Sequence, residues 1–208
     1  MVQGVSSPQA DGPYGTDSLI DLQVVFSEAV AVTGSPRLEL ETGEIDRAAD
    51  YVGGSENNTM KFKYVVADGD ISADLDYLTS TALTLNGGTI TATEGTHPAA
   101  ILTLPVPGME GSLGYAKNLV IDTVSPVFDS LSVAPLLTRL DTVVNLGFTV
   151  SEALSANPVV MVNGHSATYV DQVDNTYTYS YTIQGSDPDG QATITVSGAD
   201  YAGNVGVL

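Results

Sequence analysis

The chain has 208 residues, with Asp plus Glu numbering 25 against 6 Lys plus Arg, for a net charge of −19. A surface this acidic repels phosphate backbones and anionic lipid, so nucleic acid is excluded as a partner, and so is an anionic membrane surface. Cysteine is absent, which removes disulfides, thiol nucleophiles and thiolate metal sites.

Hydrophobic residues make up 43% of the chain, an ordinary globular value, but no apolar run approaches the length of a membrane span. The first residues, "MVQGVSSPQADG", lack the charged-then-apolar pattern of a signal peptide.

Taken in chain order, the predicted elements are short strands with period-2 alternation. In "IDLQVVFS" (20–27), Ile20, Leu22, Val24 and Phe26 share one face. The following "SEAV" reads as the polar end of that strand, with Glu28 entering a turn. "SPRLELETG" (35–43) is a strand opened by proline, and "AADYV" (48–52) is another. In "MKFKYVV" (60–66), Met60, Phe62, Tyr64 and Val66 alternate with lysines. An acidic loop follows, "ADGDISADLDY" (67–77), carrying Asp68, Asp70, Asp74 and Asp76. Residues 77–118 form a long insertion, and "VIDTVSPVF" (120–128) reads as a strand ending at Asp122 and then a proline-stiffened linker.

Beyond the linker the pattern starts again. "VNLGFTVSEAL" (144–154) aligns without a gap on "IDLQVVFSEAV" (20–30). "NPVVMVNG" (157–164) aligns on 35–43, "SATYV" (166–170) on 48–52, and "DNTYTYSYTIQGSD" (174–187) on "NNTMKFKYVVADGD" (57–70). Matching segments in one order indicate a duplicated domain. The expectation is an all-β chain of two tandem β-sandwiches arranged end to end, about 1–123 and 124–208, each with about seven strands. In the second copy Tyr177, Tyr179 and Tyr181 fall on the core-facing side.

The recurring glutamate has a topological reading. In the second copy the first strand runs away from the linker and the second returns, which puts Glu152 beside the linker. The loop before the last strand, "GADYAGN" (198–204), returns to the same end with Asp200 and Asn204. The far end of the first copy presents the acidic loop with Asp68, Asp70, Asp74 and Asp76, and Asp122 lies between; Asp68, Asp70 and Asp122 are the expected ligands from it. Carboxylates converging from separate stretches repel one another unless a cation sits among them. Calcium, which takes carboxylate, amide and backbone oxygens in a flexible shell, is the expected ion, ahead of magnesium with its stricter octahedron. Its job is mechanical: it removes freedom from the linker. The loop "SDPDGQATI" (186–194) lacks the glutamate that an EF-hand needs at its twelfth position.

The string running from "DGPYGTDSLIDLQVVFSEAV" through "NLVID" resembles repeats found in tandem in very large bacterial surface and adhesin-like proteins. "DYAGN" ahead of a last strand is similar to bacterial Ig-like and cadherin-like repeats. This resemblance implies an Ig-like or cadherin-like sandwich, calcium between domains, and a spacer or adhesive role at the cell surface or outside the cell. It carries a ligand role onto Glu28, Glu152, Asp122, Asp200 and Asn204. In the first copy "TATEGTH" (91–97) stands where such repeats read Asp-x-Ala-Gly-Asn, leaving Glu94 as the sole acid and a weak or empty upper site.

Enzyme chemistry finds no foothold. His97 and His165 lie one in each copy, too few for zinc. "GHSAT" (164–168) lacks the last glycine of a hydrolase elbow, and "GMEGSLG" (108–114) lacks the lysine and helix of a phosphate loop. The expected partners are neighbouring domains of the same chain and a cell-surface glycan or protein, with the fragment itself monomeric. The rival expectation is a carbohydrate-binding module attached to a secreted enzyme.

Overall fold

A computed structural model describes residues 1–208. The regular structure of the chain is almost all strand, with one short helix, and the chain divides into two compact units, Met1–Thr123 and Val124–Leu208. No helix is long and apolar enough to cross a membrane.

Unit 1 contains β1 (Val2–Ser6), β2 (Gly12–Tyr14), β3 (Leu19–Thr33), β4 (Arg37–Leu40), β5 (Arg47–Gly53), β6 (Asn57–Val65), β7 (Ile71–Ser72), β8 (Leu83–Thr84), β9 (Thr89–Ala92), the short helix α1 (Leu113–Ala116) and β10 (Leu119–Asp122). Its large sheet runs β1-β3-β6-β5-β4-β8, with β9 paired to β3, and its small sheet runs β2-β10-β7. Both sheets close on one core. Ile20, Leu22, Val24 and Phe26 from β3 and Met60, Phe62 and Tyr64 from β6 pack with Leu119 and Ile121 from β10. Those are the positions that period-2 alternation assigns to one face.

Two expectations are corrected here. Glu28 does not follow the end of a strand: β3 continues to Thr33 and leaves Glu28 exposed within it. The cause is a bulge. The ladder to β6 breaks between Val25 and Val30, and Val30 to Thr33 then pair with β9. The insertion contributes Leu83, Ile90, Leu104 and Leu113 to the core. A helix is also formed at "GMEGSLG": α1 begins within the string at Leu113, capped by Ser112 through Tyr115 N, although four residues make only one turn.

Unit 2 contains β11 (Phe128–Ala134), β12 (Val143–Val150), β13 (Val159–Val162), β14 (His165–Ser166), β15 (Thr168–Val173), β16 (Thr176–Thr182), β17 (Ile194–Ala199) and β18 (Val205–Val207). One sheet runs β11-β12-β16-β15 and the other β14-β13-β17-β18. This strand order is that of an immunoglobulin-type sandwich, with β14 as a short additional edge strand. Eight strands are therefore formed where the sequence suggests about seven.

The register sets Phe148 opposite Tyr177 and Leu146 opposite Tyr179. All four are buried, and Phe148 stacks on both Tyr177 and Tyr179 at centroid distances of 5.8 and 5.9 Å. Their hydroxyls reach the core's polar edge: Tyr179 donates to the Pro158 carbonyl and Tyr181 to the Asp187 carboxylate.

Candidate metal centre

In unit 2 the β12 strand ends at Val150, and the next two residues leave the ladder. Ser151 ties this corner to the start of the unit. Its N–H donates to the Val127 carbonyl, and its hydroxyl accepts from the Val127 N–H, both at 2.9 Å. Ser155 then donates to the Ala199 carbonyl from its N–H and its hydroxyl, at 2.9 and 3.0 Å. The stretch bearing Glu152 is thereby pinned beside the β17–β18 loop.

That loop is closed internally. The Asp200 N–H donates to the Asn204 carbonyl at 3.1 Å. Asn204 returns two bonds to the Asp200 carboxylate, from its N–H at 2.9 Å and from its side-chain amide at 2.8 Å. Gly203 takes a φ of +90° to complete the turn. Asp200 is only 3% exposed.

As a result, carboxylate oxygens of Glu152 and Asp200 lie within 4.8 Å of one another. Two unit charges at that separation repel by about 3 kcal/mol at an effective dielectric of ~20. Each carboxylate has about four lone-pair sites, so the two bonds from Asn204 leave Asp200 with capacity for a cation. Asn204 as placed directs amide hydrogens at Asp200. It orients that carboxylate through its nitrogens.

In unit 1, Asp122 is the last residue of β10 and pairs with Ile71 of β7. The neighbouring Thr123 hydroxyl accepts from the Gly69 N–H and donates to the Asp70 carbonyl, at 3.1 and 2.9 Å. The 67–72 loop therefore does lie beside the end of β10. Asp68 is exposed there.

Asp70 requires a correction, because its side chain is turned into unit 1 and is 1% exposed. One oxygen pairs with Arg47 Nε at 2.8 Å. The other accepts from the Tyr64 hydroxyl at 2.7 Å and the Ala67 N–H at 2.9 Å. With a guanidinium and two donors already on it, this carboxylate compensates its own burial and has no call for an ion. Burial first, and the Asp70 carboxylate second, push the Tyr64 phenol well above its ordinary range. The same Asp70 holds the Arg47 guanidinium firmly charged.

Unit 2 repeats the arrangement. Asp187 accepts from the Tyr181 hydroxyl at 2.9 Å and the Gln184 N–H at 2.7 Å. His165 stands 4.0 Å away, where unit 1 has Arg47. The Gln184 N–H, aided by Tyr181, draws the Asp187 carboxyl below the usual range. Burial, then Asp187, pushes the Tyr181 phenol up to about 12. Sequence reasoning missed this lock, although its signal was present: a Tyr and an Asp six positions apart at the same place in both copies, "YVVADGD" and "YTIQGSD".

No family model and no curated protein matches the chain. Among solved structures 68 chains match. One is a crystal structure of a chicken TCR, 10% identical, with 98% of this chain and 96% of that one covered, at a TM-score of 0.26. A superposition that loose carries no argument, so the immunoglobulin-type assignment rests on the sheets themselves.

Proposed function

We propose that this chain is a non-catalytic spacer and adhesion-supporting segment of a large extracellular bacterial surface protein, stiffened by calcium where its two sandwiches are linked. Glu152 and Asp200 supply the carboxylates of that site, Asp122 adds a third from the strand that leads into the linker, and Asn204 holds Asp200 in position. Asp70 drops out of the ligand set.

The observation that carries this reading is the approach of the Glu152 and Asp200 carboxylates to within 4.8 Å beside the first residues of unit 2. Hard oxygen donors at that spacing suit calcium, whose shell tolerates irregular geometry. The ion's partners are the neighbouring domains of the same chain. The Tyr177, Tyr179 and Tyr181 stripe, which exposure would have made a platform for sugar, is core instead, which favours the spacer.

Thermal unfolding with excess calcium and with EGTA tests the proposal. An ion that binds only the folded chain stabilises it by about 2.7 kcal/mol at a hundredfold excess over Kd. Calcium should raise Tm and narrow the distance distribution in small-angle scattering. Identical melting and scattering in both buffers would overturn it.

A further inference from the structure

One end of unit 2 carries an apolar groove of about 290 Å³ that the calcium reading does not use. Its floor is core, Val144 and Leu146, and its walls are Val133, Ile183 and Ile194. Leu136 forms the lip and is 84% exposed, and the adjacent Leu137 is 93% exposed. Leu140, from the same loop, is also exposed. Three leucines in water on one short loop, next to a hole of side-chain size, are what a recognition surface presents and a plain spacer avoids.

A second hollow, of about 310 Å³, adjoins the groove and shares Thr138, Ile183, Gly190 and Ala192 with it. This one is polar, with Asp187, Asp189 and Asn163 in its lining and Arg139 as its one base. Asp187 is anchored by Tyr181 and Gln184. Asp189 is exposed and forms no ion pair with Arg139.

We propose that this end of unit 2 docks a protein segment bearing an aliphatic side chain close to a lysine or arginine. The aliphatic group fills the groove between Leu136 and Ile194, and the cation settles against the exposed Asp189. Charge complementarity selects this occupant. A second copy of the chain, itself at a net charge of −19, would bring its own acids against Asp189, and an anionic lipid surface would be repelled by the same charge.

The test is fluorescence anisotropy on the full chain with three labelled peptides of about a dozen residues: leucine–lysine alternating, leucine–glutamate, and serine–lysine. The leucine–lysine peptide should bind at least about tenfold more tightly than either control, since burying one leucine and one like-charge juxtaposition each reach that size. Ala192→Trp, which plugs both hollows, should abolish binding, and Asp189→Asn should weaken it several-fold. Asp46→Asn, an equal loss of charge on unit 1, should leave it unchanged. Equal binding of the leucine–lysine and serine–lysine peptides, or equal effects of D189N and D46N, would overturn the proposal by reducing it to non-specific attraction. Dimerisation in sedimentation that A192W abolishes, or binding to phosphatidylcholine vesicles that Leu137→Ser abolishes, would overturn it by assigning the groove to another occupant.

Discussion

Replacing Asp70 by Ala separates a carboxylate that serves the fold from one that serves a metal. The side chain is buried and takes three bonds, from Arg47, Tyr64 and Ala67. Its removal leaves the Tyr64 hydroxyl buried without an acceptor and strips Arg47 of its partner. Breaking a buried pair costs about 3–5 kcal/mol. Arg47 is one-third exposed and regains water, so the lower end applies, about 3 kcal/mol. At roughly 4 °C per kcal/mol for a unit of this size, D70A lowers the unit 1 melting transition by about 12 °C. Asp70→Asn keeps an acceptor for Tyr64 and costs about half as much. The assay is scanning calorimetry of the full chain in EGTA and in calcium, and the drop should be the same in both. A D70A variant that melts like the parent in EGTA but has lost its calcium response would refute the reasoning and return Asp70 to the ligand set.

Other consequences are read from the same contacts. The Tyr181 phenol is pushed up to about 12 in the folded chain, against about 10 when unfolded. Its contribution to stability is therefore complete below pH 10 and is lost as pH rises toward 12. Tyr179, pushed up to about 12 mainly by burial, acts in the same direction. Unit 2 should unfold in that window with a cooperative rise in tyrosinate absorbance, and a gradual titration near pH 10 in a still-folded chain would contradict this. Gly206→Ala places a Cβ 1.8 Å from the Pro126 carbonyl oxygen, so the first segment of unit 2 must shift. Loss of at least about 2 kcal/mol in denaturant unfolding is expected, and an unchanged midpoint would count against the packing of β18 on that segment. Phe148→Ala, at the centre of the stacked aromatic core, should cost about 3–5 kcal/mol in the same assay.

The all-β class was legible because alternation survives in the strands that matter. The sides predicted to be buried in 20–26, 60–66 and 177–181 are the buried ones. Glu28 shows where an aligned repeat stops informing. "FSEAV" and "VSEAL" are near-identical strings, yet the first continues as strand because β9, supplied by the insertion, is there to pair with it. Local sequence cannot register a partner that arrives some sixty residues later.

The acidic loop taught a second lesson. Composition made Asp68 and Asp70 equivalent, and only the placement of Arg47 and Tyr64 distinguishes a solvated acid from a buried structural one. Glu152 and Asp200 were placed at one end of their sandwich by counting strand reversals, which is topological and needs no side-chain detail. The groove at the opposite side of the core left no pattern in the sequence beyond "PLLTRL", an apolar loop where a polar one is the rule.

Calcium titration calorimetry on the parent chain, Glu152→Gln, Asp200→Asn and Asp68→Asn is the decisive measurement. One binding event should appear in the parent, weaken at least about tenfold in E152Q and D200N through loss of a charged ligand, and persist in D68N. A parent chain that takes up no calcium, or an E152Q variant that binds it as well as the parent, would contradict the metal-stiffened spacer.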